Sequence, residues 1–181
     1  MFAQEYLDTV IRRVIYYKEL AERAMAQLEE ADFHVQPTSE SNSIAVIIQH
    51  MAGNMLSRWT DFLTEDGEKP WRQRDEEFAV RNQSRTELMA YWQKGWTCYL
   101  EALRGLQEKD LLRTVTIRQE PLTVIDAINR QLAHYPYHVG QIVYVARMLR
   151  NDSWTSLSIP RGGSAAYNSG DHVKDPARRK S

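Results

Sequence analysis

The sequence has little of several features that mark whole classes of protein. A single cysteine, Cys98, excludes an internal disulfide, and we expect a reduced, cytoplasmic location. A formal net charge of −1 gives no electrostatic basis for binding nucleic acid or acidic membranes, so neither partner is expected. The longest apolar run, Ile44–Ile48, is too short to cross a bilayer, and the first residues lack the pattern of a secretory signal.

What the sequence does contain is helical periodicity. Hydrophobic residues make up 43% of the chain and charged residues 26%, which is ordinary for one soluble domain with a sizeable core. Four long segments space their apolar residues as one face of a helix does. They cover about residues 2–30, 43–63, 84–106 and 123–149. We therefore predict an all-α four-helix bundle over residues 1–168, followed by a disordered tail at residues 169–181.

The connections between these helices carry signals of their own. Capping boxes mark the starts of the last two helices, at Ser84 and Thr123. Before the last helix, Val115 and Ile117 alternate with polar residues, which predicts a short extended segment or hairpin. The charged connection at residues 64–78 is long for a compact domain, and such loops are usually functional or pack as a lid.

The most distinctive motif is a pair of histidines, His134 and His138, in the last predicted helix. Residues four apart lie on the same helix face, so the two imidazoles can reach one metal ion without distorting the backbone. The pair is a weak signal on its own, and two polar-face histidines on a kinked helix are the alternative. Pro136 lies between them and leaves the carbonyl of Leu132 without its N–H partner, which predicts a kink or local widening.

A polar stripe on the second predicted helix is the other candidate for a site. Solvent faces favour lysine and glutamate, whereas this stripe is rich in other polar types on a helix otherwise made of isoleucine, methionine and tryptophan. We therefore predict that it lines a pocket, with an ordinary solvent face as the alternative. The stripe consists of His50, Asn54, Ser57, Arg58 and Asp61.

The placement of His50, His134 and His138 resembles that in the DinB-like superfamily of metal-binding four-helix bundles, which includes the bacillithiol-S-transferases. There, one histidine of the second helix and an HxxxH pair of the fourth hold a divalent metal. The continuation Val139-Gly140-Gln141 also matches. The resemblance implies that the three histidines bind one divalent transition metal ion, with zinc and nickel as candidates.

Longer stretches resemble one branch of this superfamily that has no assigned reaction, so the resemblance supplies the fold and the metal site but no substrate. Together these stretches extend the resemblance to about residues 1–168. They are Gln49–Asn54, Arg58–Leu63, Asp66–Trp71 and Ser158–Ser164.

A three-imidazole site predicts catalysis more than structural support. Three neutral ligands leave positions open on the metal, and without carboxylate or thiolate ligands the ion keeps its full charge and acidifies a bound thiol or water. The resemblance favours transfer of a low-molecular-weight thiol, such as bacillithiol, to a small electrophile. The alternatives are a metal-dependent hydrolase and a non-enzymatic bundle that binds a small molecule or a partner.

Three further side chains are candidates for contact with a substrate, and no catalytic residue is predicted. Asn54 and Arg58 follow His50 by one and two helical turns and could hold a substrate carboxylate or the thiol. Gln141 could orient a metal ligand or the substrate. The alternative for Arg58 is a salt bridge to a neighbouring carboxylate such as Asp61. The resemblance also implies a homodimer, although the sequence does not indicate which face would pair.

Overall fold

The computed structural model describes residues 2–178, in which four long helices form a bundle. Helix α1 packs against α4, α2 packs against α3, and α2 also contacts α4. The predicted mainly helical fold, with a short hairpin before the last long helix, is confirmed. The elements are α1 (Phe2–Met25), α2 (Ile44–Trp59), α3 (Arg85–Gly105), β1 (Thr114–Ile117), β2 (Glu120–Thr123), α4 (Val124–Arg150) and α5 (Ser164–Ser169).

Hydroxyl side chains fix where three of the long helices begin. The Ser43, Ser84 and Thr123 oxygens each accept a hydrogen bond from a backbone N–H three residues on. The starts predicted at Ser84 and Thr123 are confirmed. Helix α2 ends at Trp59, four residues before the predicted end, because Asp61 adopts a left-handed backbone with φ of 47°. Within residues 2–178, no helix has both the length and the hydropathy that a membrane span requires.

Close backbone contact and an aromatic core hold α3 against the rest of the bundle. Gly95 faces α2 so closely that a Cβ atom there would lie 2.8 Å from the Cα atom of Ala52. The rings of Trp96 and Tyr99 lie against Tyr135 of α4, with centroids 5.9 and 5.1 Å away. All three rings are at most 1% exposed. Tyr135, next to His134 in the chain, is thereby fixed in the core.

A carboxylate ties the α2–α3 connection to the β-hairpin. The hairpin turn uses Arg118 and Gln119, whose φ angles of 56° and 65° suit a tight two-residue turn. Asp66 accepts hydrogen bonds from the N–H groups of both residues, at 2.8 Å each. The N–H of Gly67 also donates to the Thr116 carbonyl at 2.8 Å. The connection therefore runs along the hairpin at this point.

The segment after α5 lies against α1. Asp175 accepts a hydrogen bond from the Arg13 guanidinium at 2.7 Å, and Ala177 is 8% exposed. The disordered tail proposed for residues 169–181 stays a prediction. Residues 179–181 of the predicted tail lie outside the described residues.

Candidate metal centre

The three histidines singled out in the sequence meet between α2 and α4. Each offers one ring nitrogen, and these nitrogens lie within 4.8 Å of one another. The ring of His50 has its centroid 5.5 Å from that of His134 and 4.9 Å from that of His138. Two nitrogens bonded to one metal at about 2.0–2.1 Å lie at most roughly 4.2 Å apart, so the rings would have to move closer to share one ion. The cluster could hold a metal ion; the identity of the metal stays a prediction.

Helix α4 supplies two of the rings directly above one another. His134 and His138 are one turn apart, with their Nε2 atoms 3.0 Å from each other. The helix continues through Pro136, and every residue from Val124 to Arg150 is helical. The neighbouring Tyr135 and Val139 are buried, so the backbone that carries both histidines is anchored in the core.

An oxygen acceptor faces the Nδ1 atom of each of the three imidazoles. An acceptor there favours the tautomer with the proton on Nδ1, which leaves the Nε2 lone pair for a metal. The donor set therefore suits a divalent transition metal ion, and the acceptors hold the rings in position. The pairs are His50 with Glu77 Oε2 at 3.0 Å, His134 with Gln131 Oε1 at 3.3 Å, and His138 with Gln141 Oε1 at 2.8 Å.

The surroundings keep two of the rings uncharged. Burial, together with nearby positive charge from His138 and His50, lowers the pKa of His134 to about 3. Burial also lowers the pKa of His138, although its hydrogen bond with Gln141 opposes that shift. Metal ligation requires neutral imidazoles, so these two are in the required state near pH 7.

The residue that sequence reasoning missed is Glu77, which lies on a 3₁₀ turn in the α2–α3 connection. Arg72 donates to both of its carboxylate oxygens, at 2.7 and 2.9 Å. Burial by itself raises the pKa of Glu77, but the bonds from His50 and Arg72 outweigh it, so the pKa is lowered. Gly53 of α2 leaves room for this carboxylate, because a Cβ there would overlap with Glu77 Oε1. The length and charge of the α2–α3 connection were the only sequence features that indicated a functional role for this part of the chain.

The polar stripe on α2 lies mostly inside the bundle, and its role as a pocket lining stays a prediction. Asn54, Ser57 and Arg58 are 0–6% exposed, whereas Asp61 is exposed. Arg58 donates to the carbonyl of Gly67 and forms a salt bridge with Glu68 at 2.9 Å. The alternative considered for Arg58 was such a salt bridge, and its partner is Glu68, not Asp61.

The other two candidate side chains also have partners within the protein. Asn54 accepts a hydrogen bond from the Tyr135 hydroxyl at 3.1 Å. Gln141 lies against His138, where it can orient a metal ligand. Contact of Asn54, Arg58 or Gln141 with a substrate stays a prediction.

Fold and site together define a helical bundle whose facing helices bring three imidazoles to one point. Residues 1–163 match the family described as "Protein of unknown function (DUF1572)", which has a DinB-like fold, and the chain belongs to this family. The expected DinB-like fold is thereby confirmed, whereas membership in the bacillithiol-transferase branch is not shown.

A solved structure shows the same fold. It is titled as the conserved protein of locus from Enterococcus faecalis, is 19% identical, and aligns with a TM-score of 0.60 over 76% of this chain and 93% of that chain. No curated protein matches the chain.

Proposed function

We propose that this protein is a metal-dependent transferase that joins a low-molecular-weight thiol to a small electrophile. The observation that carries the proposal is the ligand set, in which His50, His134 and His138 converge without a carboxylate or thiolate among them. A divalent ion such as zinc or nickel, when bound, supplies positive charge that lowers the pKa of a thiol or water in its remaining positions.

The residues around the ligands hold the rings in position. Glu77, Gln131 and Gln141 each place an oxygen 2.8–3.3 Å from the Nδ1 atom of one ring, which favours Nε2 as the metal-binding nitrogen. The ring of Phe78 lies over His50, with centroids 4.9 Å apart. A ring orientation fixed before the reaction lowers the cost of reaching the reactive geometry.

The preference for a thiol rests on the resemblance to the bacillithiol-S-transferases. In the proposed reaction the thiol loses its proton to solvent, its sulfur forms a bond to an electrophilic carbon, and the leaving group departs with the bonding electron pair. Water is the alternative nucleophile, so the test includes both.

Elemental analysis of protein purified without an affinity tag, followed by a thiol screen, tests this function. Bacillithiol, glutathione and mycothiol are each supplied with monochlorobimane to zinc- and nickel-loaded protein. We expect turnover with one thiol, lost in His138→Ala. Metal-dependent cleavage of esters or amides without any thiol would replace the proposal with a hydrolase. Metal binding with neither activity would replace it with a non-enzymatic binding protein.

We also propose a homodimer in the cytoplasm, as the resemblance and the composition suggested. Light scattering coupled to size-exclusion chromatography measures the mass directly, and a mass of 21.1 kDa, that of a single chain, would contradict the dimer.

A further inference from the structure

The connection between α2 and α3 has two halves that are held differently. The first half, which ends at Arg72, is hydrogen-bonded to Ser57 of α2 at two points. Ser57 donates to the Gly67 carbonyl at 2.9 Å and accepts from the Lys69 N–H at 3.1 Å. The second half, residues 73–82, is called the exposed segment below. Of these residues, all of which the structure describes, only Glu77 is buried.

A buried carboxylate is costly unless it is paired, so the partners of Glu77 explain why it points inward. They are Arg72, whose side chain is 2% exposed, and His50, whose side chain is 8% exposed. Arg72 belongs to the first half of the connection and His50 to α2. Glu77 joins the exposed segment to both, and the Phe78 ring of the same segment also packs on His50, with centroids 4.9 Å apart.

We propose that Glu77 is a positioning residue for His50 and that it also holds the exposed segment against the bundle. The inference rests on the proposed metal site, since it assigns Glu77 the role of presenting His50 Nε2 to the ion. Metal on Nε2 polarises the N–H on Nδ1 and strengthens its bond to the carboxylate. Coupling of this kind is reciprocal, so metal occupancy orders the segment and an ordered segment tightens metal binding.

Four variants separate this role from a general loss of fold. Glu77→Ala removes the acceptor, whereas Glu77→Gln keeps an oxygen for His50 Nδ1 but loses the charge. Gly53→Ala deletes no polar group and displaces Glu77, because the new Cβ would overlap with Oε1. Glu76→Gln is the matched control, since Glu76 is exposed and pairs with Arg81 at 3.2 Å.

Metal affinity, measured by competition with a chromogenic chelator, is the first readout. We expect zinc binding to weaken about 10- to 100-fold in Glu77→Ala, less in Glu77→Gln, and not at all in Glu76→Gln. Gly53→Ala should resemble Glu77→Ala. The visible spectrum of cobalt-substituted protein is the second readout, because a misplaced His50 changes the coordination number and a structural defect elsewhere does not.

Trypsin cleavage within the exposed segment, at Arg74 and Arg81, measures the coupling. In the wild type, zinc should slow this cleavage several-fold, and in Glu77→Ala it should have no effect. The ratio of rates with and without zinc is compared within each variant. If Glu77→Ala bound zinc as tightly as the wild type and had the same cobalt spectrum, the positioning role would be wrong. If zinc slowed trypsin cleavage of Glu77→Ala as much as that of the wild type, Glu77 would not hold the exposed segment against the bundle. A wild type that binds no metal would refute the proposed function itself.

Discussion

The Nε2 atoms of His134 and His138 lie 3.0 Å apart, while glutamine oxygens face the opposite nitrogen of each ring. With both Nδ1 atoms protonated, two lone pairs face each other at hydrogen-bond distance, which is unfavourable unless a cation is shared between them. A proton shared between the two Nε2 atoms would give the pair a positive charge. Burial opposes that charge, because it lowers the pKa of both rings. A metal ion shared by the two Nε2 atoms would remove this repulsion, and the cluster could hold one.

Removal of one imidazole should abolish tight metal binding. We expect His138→Ala to weaken zinc binding by more than the roughly 100-fold that loss of an outer partner causes, because a ligand itself is lost. Isothermal titration calorimetry at pH 7.5 measures the change. His172→Ala is the control, since His172 lies in the C-terminal segment outside the cluster. An equal loss in both variants would mean that surface histidines, and not this cluster, bind the metal.

The glutamine behind His138 should matter without touching the metal. Gln141→Ala removes the oxygen 2.8 Å from His138 Nδ1, and we expect an affinity loss of about 10- to 100-fold with the helix content unchanged. Tyr144→Ala, at a residue 72% exposed on the same helix, should bind metal as the wild type does. Chelator competition and circular dichroism measure the two quantities, and an unaffected Gln141→Ala affinity would remove this residue from the site.

Asp66 should contribute stability that depends on pH. Burial raises its pKa, but hydrogen bonds from the N–H groups of Glu68, Gln119 and Arg118 outweigh this and lower the pKa to about 2 from the ordinary 3.8. A depressed carboxyl pKa stabilises the fold above pH 3.8 and loses that contribution as the pH falls towards 2.

The variant Asp66→Asn tests how much the ionised Asp66 carboxylate contributes to stability. We expect it to lower the free energy of unfolding by about 1–2 kcal/mol at pH 7, because the charged acceptor of these bonds is lost. The difference from the wild type should shrink as the pH falls from 3.8 to about 2. Urea unfolding of both proteins across this range measures it, and a difference that is independent of pH would contradict the assignment.

Close packing of α2 on α3 should make Gly95 intolerant of a methyl group. In Gly95→Ala the added Cβ would lie 2.8 Å from a backbone atom of Ala52, and we expect a loss of about 1–3 kcal/mol in the free energy of unfolding. Gly105→Ala on the same helix is the control, because no atom lies within 4 Å of the new Cβ. It should be neutral or stabilising by up to about 1 kcal/mol. Thermal unfolding compares them, and equal effects would contradict the close contact.

Local signals predicted most of the fold. The hydroxyls of Ser84 and Thr123 satisfy N–H groups within the next turn, so the start of a helix is visible in a few neighbouring residues. The end of α2 was placed too late because the apolar period continues to Phe62, whereas the chain turns at Asp61 with a left-handed backbone. Nothing in the apolar pattern encodes that turn.

The candidate site was predictable in part. His134 and His138 share a helix face because of their spacing. His50 was predicted as the third ligand from the family resemblance, and its polar stripe on the second helix indicated a site. Glu77 and the pairing of Arg58 with Glu68 were not predictable, since both depend on how an irregular connection folds back on α2. An irregular connection has no regular residue spacing, so the sequence does not predict which side chain its carboxylates contact.

By itself, the sequence determined four helices, the hairpin before α4, and which side of α2 and α4 carries the polar groups, because these follow from spacing within one element. Only the tertiary structure decided that three imidazoles meet, that an oxygen faces each Nδ1 atom, and that Glu77 approaches over Gly53. Those are distances between atoms far apart in the chain, and packing of whole helices sets them.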